Sequence, residues 1–484
     1  MTILIYIDDL LLDLSVKTSV SFTYQTGGIG DIRSRFVSHT NEFRVDKTET
    51  NTKIFGYADN VKSTSDIPYR KSTCKILING LQVIKGYAFL RETTDTFRVS
   101  VFETTVDFFS VIEGIPLSQL DFNDSPVTWS ATYIDGRRAS TSNLVAPAIQ
   151  YGQLDPTLVN AEIGDVYLPS VYYHTIISAI FENAGYTKTG DVFSLPKYTS
   201  LILAYSKETW PGTTFTMDEI MPEDITQDEF IKHFSMAFGA IFRERDGVIT
   251  VKLFEEIIND RLNAQDWTAK RATNIADRIV YGFSNYGQNN NFRNADVNGA
   301  TGVLLIDNEN LELNVDIYES PFARVYADSF IANDNGDIVN GAIIPVWFRA
   351  GWTPPTLYPP DEDFFNEPIP RILAVRARIA PEPAILYDGN SRTDYLVGSY
   401  DSAFGNVSVA WQADGRGFLE IYYASLQDRI SRAKTIERYY NLSLLDIAQL
   451  DLFKLVYDDG AYYFINRIVN FVPGKVTKVE LFKV

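Results

Sequence analysis

The chain is poor in the residues on which most enzyme chemistry depends. Among 484 residues there is one cysteine, Cys74, and only three histidines, His39, His174 and His233. A single cysteine excludes any intrachain disulfide, and with it a disulfide-stapled secreted domain; it fits a chain made in a reducing cytosol. No His-Glu-x-x-His and no paired Cys/His spacing occurs, so no metal site is expected. There is no Gly-x-Ser-x-Gly elbow and no phosphate loop. The glycines of Gly27-Gly28-Ile29-Gly30-Asp31 are not set between a strand and a helix as a dinucleotide loop requires, so they read as a flexible turn and no cofactor is expected. Positive charge is also scarce: 43 Lys and Arg stand against 62 Asp and Glu, a formal charge of −19. That balance argues against a general grip on nucleic-acid backbones. Runs of about 18 or more apolar residues are missing, so neither a transmembrane helix nor stable membrane insertion is expected. The first 14 residues are apolar but carry Asp8, Asp9 and Asp13 without a basic segment, which does not read as a signal peptide.

What is present is apolar and aromatic. Hydrophobic residues make up 45% of the chain, with 28 Tyr and 31 Phe. The length allows about three or four domains of roughly 100–200 residues each. Tyr and Phe suit half-buried pleated surfaces, so a mainly β, multi-domain protein with a few short helices is expected. The clearest local unit is Thr226–Phe254. Thr226 and Glu229 form a capping box, Phe230, Phe234 and Phe238 repeat at a helical spacing, and Gly239 supplies a left-handed stop. Asp246-Gly247 then links two β-like runs, a strong hairpin signal. Asn79-Gly80 and Asp458-Asp459-Gly460 predict further hairpins.

Taken in order, residues 1–125 read as an antiparallel β domain and 126–265 as a helix-and-hairpin domain, with helices near 170–184 and 226–238. Residues 266–400 read as a second β domain with a Pro-rich loop at 350–370, and 401–484 as a C-terminal β meander. In the helix near 170–184 Pro169-Ser170 marks the start, Val171, Tyr172, Ile176, Ile177, Ile180 and Phe181 the apolar stripe, and Gly185 the end. Trp267 is expected to be buried beside a strand edge. Tyr286–Phe292 reads as polar and turn-like. Asn333–Asp337 has the alternating oxygens of a calcium loop but lacks its closing glutamate, so it reads as a hairpin turn. Phe418–Tyr423 alternates like a strand, and Leu426–Tyr440 is a helical or extended link.

Two segments are candidates for contacts between subunits. Arg44, Lys47, Arg70 and Lys71, with Lys53, make a basic cluster in an acidic chain, either a solvated loop with internal ion pairs or an arm docked on an acidic neighbour. Trp352, Pro354, Pro355, Pro359 and Pro360 lie in a stretch that cannot sit inside a sheet, either a surface loop or an extended arm on a partner. Carboxylates are plentiful, but a glycosidase pair is recognisable only in three dimensions.

The order of several short motifs resembles a family of phage tail proteins from phages and prophages of Bacteroidetes. They are Asp31-Ile32-Arg33-Ser34-Arg35, Phe43–Thr48 with Asn51 and Ile54-Phe55-Gly56, and Pro68-Tyr69-Arg70-Lys71. Leu168-Pro169 before a helix ending at Gly185-Tyr186, the Thr226–Phe254 unit with Asp266-Trp267, and the ending from Tyr462 to Leu481 continue the series. The helix-then-hairpin unit also resembles the tail-hub fold of baseplate hubs and siphophage tail-associated proteins. That resemblance implies tube-like β-barrel or sandwich domains, two per subunit, in a trimeric ring that matches a hexameric tail tube. It further implies a non-enzymatic virion protein, made in the bacterial host cytoplasm and placed at the tail tip or baseplate. Its partners would be its own copies, the tail tube and other tail-tip proteins, with DNA only passing through the lumen. A hexameric or dodecameric distal-tail or adaptor ring is the structural alternative. A carbohydrate-binding or glycan-cleaving β protein is the alternative of another class, with Trp210, Trp347, Trp352 and Trp411 available for sugar stacking.

Overall fold

The computed structural model describes residues 2–484 apart from 16–17, 26–37, 104, 138–141, 148–168, 205–211, 282–284, 296–298, 324–329, 333–337, 344–369, 377–383, 386–390, 393–395, 399–408, 413–414 and 416. Its N-terminal part is β1 (Ile3–Ile7), β2 (Leu10–Leu11), β3 (Phe22–Gln25), β4 (His39–Thr40), β5 (Phe43–Asp46), helix α1 (Glu49–Ile54), β6 (Ser72–Ile78), β7 (Leu81–Thr93) and β8 (Thr96–Glu103). The middle carries α2 (Tyr173–Asn183), α3 (Gln227–Phe238), β9 (Ala240–Arg245), β10 (Val248–Leu253), β11 (Arg278–Tyr281), β12 (Gly287–Asn294), β13 (Gly302–Leu305) and β14 (Glu312–Ser320). The last part is α4 (Phe418–Tyr422), α5 (Ala424–Ser431), β15 (Lys434–Tyr440), β16 (Val456–Asp458), β17 (Ala461–Phe471) and β18 (Thr477–Lys483).

Both ends of the chain build one sheet. A 14-stranded sheet runs β11-β15-β18-β17-β3-β4-β8-β7-β6-β1-β2, with β5 on β8, β16 on β17 and the short strand Gln265–Asp266 on β16. No closed barrel forms among the described residues. The N-terminal β unit and the C-terminal meander meet where β3 pairs antiparallel with β17, Phe22 opposite Phe471 and Tyr24 opposite Ile468. Smaller sheets surround this one. A five-stranded sheet combines Leu144–Val145, Ser170–Tyr172, Leu201–Ala204, Arg371–Arg376 and Leu396–Gly398. Strand β10 lies between β9 and Thr187–Thr189, and β12 lies between β13 and β14.

Alternation along β17 and β18 decides where the cores lie. Side chains of successive strand residues point to opposite faces. Tyr463 and Ile465, with Val479 and Leu481, therefore pack with Ile5, Phe22, Ile76 and Val99 in the core of the large sheet, and a register shift between Ile465 and Arg467 brings Ile468 to the same face. Phe464 and Phe482 pack on the other side, in the aromatic core around α2 and α3.

The Thr226–Phe254 unit forms as its local signals dictate. Glu229 N–H donates to Thr226 Oγ1 at 3.4 Å and Thr226 N–H donates to Glu229 Oε2 at 2.9 Å. Gly239 ends α3 at φ 61°, where a side chain would be strained. Phe230, Phe234 and Phe238 are fully buried. Asp246 and Gly247 both take positive φ, as the tight hairpin turn needs. The hairpins at Asn79-Gly80 and Asp459-Gly460 share that geometry. Trp267 is 1% exposed, as expected. Strands Phe330–Ala332 and Ile338–Ile343 pair antiparallel, while Asn333–Asp337, expected to be a hairpin turn, lie outside the described residues.

Four expectations change. Ser170–Tyr172 is a buried strand, and α2 begins only at Tyr173, because Val171 and Tyr172 pair with Leu203 and Ile202. Phe418–Tyr422 is a helix rather than a strand: Gly417 N–H donates to Glu420 Oε2 at 2.8 Å, and Phe418 and Tyr422 both pack on Phe238. Leu426–Tyr440 divides into α5 and strand β15. Tyr286–Phe292 is not a turn; Gly287–Asn294 is a strand although it is polar. The buried Asn290 side chain accepts from Gly287 N–H and donates to the Gly287 and Leu304 carbonyls, so the polar group is satisfied inside the sheet. The sequence reading also lacked α1, which Thr48 caps by accepting from Asn51 N–H at 3.2 Å.

Candidate functional surface

Three parts of the chain converge on a cleft of about 100 Å³ beside the β3–β17 seam. Its walls are Tyr24 of β3, Gln82 to Lys85 of β7, Glu103 of β8, the β9–β10 hairpin from Arg243 to Asp246, and Ile447 to Leu452. The Tyr24 hydroxyl donates to the Val83 carbonyl at 3.1 Å. Arg243 donates to Asp451 Oδ1 at 3.1 Å and to the Leu450 carbonyl at 3.2 Å. Lys85 Nζ lies 2.7 Å from Asp246 across the cleft mouth. Burial pushes the Glu103 carboxyl up, and Glu244 adds to this; hydrogen bonding from Ser38 and the charge of Arg243 oppose it. Every cation and hydroxyl named here is spent on tying one wall to another. The cleft is a joint between the large sheet and the α3 unit.

The basic cluster sits nearby in sequence but works locally. Arg44 is exposed on β5, opposite Arg98. Lys47 pairs with Asp59 at 3.6 Å and lies over the Phe97 ring at 5.7 Å. Lys53 pairs with Glu49 at 2.6 Å. Arg70 contacts Asp8 at 3.1 Å and Asp66 at 3.7 Å, and Lys71 donates to Ser110. Lys47, Lys53 and Arg70 thus have carboxylate partners within the chain. The loop between α1 and β6 is held by its own hydroxyls: Ser63 donates to the Gly56 carbonyl, and Ser65 Oγ accepts from Ile67 N–H. Gly56 is obligatory there, since it has φ +60° and an added Cβ would meet Ser65 Oγ at 2.2 Å. Trp352, Pro354, Pro355, Pro359 and Pro360 lie outside the described residues, as do Trp210, Trp347 and Asp31 to Arg35. Trp411 is 2% exposed, ringed by Phe292, Tyr318 and Phe418, and offers no face for sugar stacking.

Chemistry-bearing side chains are committed to packing. His233 is buried among Phe322, Trp411 and Phe418, and burial pushes it down to about 3. Its Nδ1 lies 3.1 Å from the Tyr173 hydroxyl. His39 stacks on Phe102. His174 is half-buried and shifted down, by burial first and by Lys188 second. Burial pushes the Cys74 thiol up to about 12, with Asp8 adding to it. Ser178 accepts from Lys188 Nζ at 2.6 Å, a contact that invites a nucleophile reading, but its hydroxyl donates to the His174 carbonyl one helical turn back. Burial pushes Lys197 down to about 7, and its Nζ lies 4.1 Å from the centre of the Phe418 ring. Among the described residues no cluster of three potential metal ligands occurs, and no helix is long and apolar enough to cross a membrane.

The two ends of the large sheet form a surface that sequence reasoning missed. Strand β11 is exposed at all four positions, and Ile279, Val280 and Tyr281 are 47%, 38% and 71% exposed. At the far end, Leu10 and Leu11 of β2 are 55% and 45% exposed. The signal was a short apolar run in each case, which reads as core until its neighbours are placed.

No family model and no curated protein matches the sequence. Among solved structures, the chain is similar to the 43 kDa tail protein of prophage MuSo2 from Shewanella oneidensis. That likeness has 8% identity and a TM-score of 0.39, and covers 99% of this chain and 97% of that one. It is also similar to prophage tail protein gp18 from Listeria monocytogenes EGD-e, with 7% identity and a TM-score of 0.34, covering 100% of this chain and 94% of that one. At these scores neither likeness carries an argument about fold or function.

Proposed function

We propose that this chain is a structural component of a phage tail, a hub at the tail tip or baseplate that joins the tail tube to the distal tip. The observation that carries the reading is the β3–β17 seam. It sets an N-terminal antiparallel β unit beside a C-terminal one in a single sheet, held by pairing over residues 22–25 and 467–471. One subunit then offers two β units side by side, as the tail-hub resemblance requires of a trimer on a sixfold tube. The net charge of −19 suits a lumen that DNA passes without sticking. The site geometry fits the same role, since the clefts and buried polar groups join pieces of the scaffold.

The test is the mass of the purified protein by light scattering, followed by negative-stain images. Three copies around a central hole are expected. Six or twelve copies would replace the hub by a distal-tail or adaptor ring. A protein that stays monomeric at every concentration and binds a broad glycan array would move the reading to a carbohydrate-binding protein.

A further inference from the structure

A sheet that does not close ends in two strands, each with one row of backbone N–H and C=O groups facing outward. Such edges template pairing with another chain unless they are covered or blunted. Here the terminal strands are β11 at one end and β2 at the other. Among the described residues no strand lies outside either of them.

The two edges differ in a complementary way. On β11 the side chain of Arg278 is 70% exposed and pairs with Glu437 of the neighbouring strand at 3.1 Å, and Lys434 of that strand reaches the Tyr281 ring at 5.9 Å; with Lys478 also at 3.7 Å from Glu437, cations outnumber the one carboxylate, so this edge is apolar with a basic excess. On β2 the exposed Leu10 and Leu11 stand between Asp9 and Asp13, both exposed, so that edge is apolar and acidic. A charge that avoided self-association would carry the same sign at both ends. The β1–β2 link is a two-residue turn with Asp8 and Asp9 both at positive φ, so β2 is held as a firm hairpin rather than a loose end.

We propose that β11 of one copy pairs with β2 of the next, a head-to-tail contact that adds Ile279, Val280 and Tyr281 to Leu10 and Leu11 and sets Arg278 and Lys434 near Asp9 and Asp13. The occupant of each edge is a second copy of this chain. A contact between two different patches of one molecule propagates, and it closes into a ring when the rotation per copy allows. Closure rests on the ring assembly proposed above; the pairing itself does not. The contact is short, so it is weak between two copies and is reinforced by closure.

The buried Cys74 leaves introduced cysteines as the reactive thiols, so disulfide trapping under mild oxidation reads the contact directly. Cysteine is placed at Leu10 or Leu11 in one sample and at Ile279 or Val280 in another, giving four pairings. Disulfides need Cα atoms within about 7 Å, so the pairings also report the register. At least one mixed sample is expected to give a covalent dimer, and the doubly substituted chain a ladder that stops at the ring size. Each singly substituted sample is expected to remain uncrosslinked, because β2 never meets β2 in this geometry. Thermal melts of each variant confirm that it folds. The paired change Leu10→Lys and Tyr281→Lys is expected to lower the light-scattering mass to that of a monomer with an unchanged melting temperature. A ring that assembles with no crosslink in any of the four pairings overturns the edge contact and leaves the ring assembly standing. Crosslinks in the single-variant samples overturn the head-to-tail geometry. Monomers throughout, with no crosslink, overturn both.

Discussion

Phe464 and Ile465 are consecutive in β17, and they lie in different cores. Phe464 sits 5.9 Å from the Phe254 ring on the α3 side, while Ile465 is buried with the side chains of the large sheet. Both are fully buried. The last hairpin of the chain is thus a wall common to the two cores, and its alternation couples them. Phe464→Ala is expected to destabilise the protein by about 3–5 kcal/mol and Ile465→Ala by about 2–5 kcal/mol. The coupling is tested by urea unfolding followed with both tryptophan fluorescence and far-UV dichroism. Each variant should shift the whole transition. A variant that splits it into two steps, leaving one unmoved, would show that the cores unfold independently.

Arg438 and Asp458 form an ion pair at 2.7 Å with side chains 6% and 0% exposed. Arg438 also reaches Asp277 at 2.9 Å, and the Tyr440 hydroxyl donates to Asp458 at 2.7 Å. Removing the cation strands a buried carboxylate, which costs about 3–5 kcal/mol. Arg438→Met should lose about that much stability in denaturant titrations. Adding Asp458→Asn keeps an acceptor for Tyr440 and removes the stranded charge, so the double variant should recover much of the loss. Additive losses would mean that the two residues act apart.

The local features of this fold were legible because their causes are local. Thr226, Gly239 and Asp246-Gly247 act through their own backbone, and the structure places each in the predicted role. The β3–β17 seam was not legible, since Phe22 and Phe471 meet only after the intervening chain has folded. Phe418 to Tyr422 read as a strand because apolar and polar residues alternate there; burial against Phe238 from one helical face decides otherwise. Of the proposed contact residues, Arg44, Lys47, Arg70 and Lys71 were recognisable as a charged group, but the carboxylates beside two of them, Lys47 and Arg70, come from the same fold. The exposed edges at Leu10 and Tyr281 were hidden for the opposite reason: a short apolar run looks like core until the strand beside it is found missing.

Cys74 is 3% exposed, and burial holds its thiol near 12. Thiolate is the reactive form, so both access and ionisation are suppressed. At pH 8 the native protein should release negligible colour from a disulfide reagent over the time in which urea-unfolded protein reacts fully. Equal rates in the two conditions would mean that the strand β6 opens readily and that the edge-trapping background needs a Cys74→Ala chain.

Glu103 gives the joint between the sheet and the β9–β10 hairpin a pH dependence. Its folded pKa is raised, through burial first and Glu244 among the further contributions. Between the unfolded glutamate value, about 4.3, and the higher folded value, the folded protein therefore binds more protons than the unfolded chain. Stability from this group is fully present below the unfolded value and falls as pH rises through the folded one. Glu103→Gln keeps the shape and removes the charge. The variant should be more stable than the parent at pH 8, and the difference should shrink towards pH 4. Arg243 works against the effect, so Arg243→Met should steepen the parent's loss of stability at high pH, and Glu103→Gln should then rescue it. Lys85 and Asp246 face the same cleft, but both are about half exposed, so screening limits Lys85→Ala to about 1 kcal/mol or less. Urea midpoints measured at pH 4, 6 and 8 decide the matter: a Glu103→Gln loss of equal size at all three would leave the carboxylate as an ordinary hydrogen-bond acceptor with no role in the pH response.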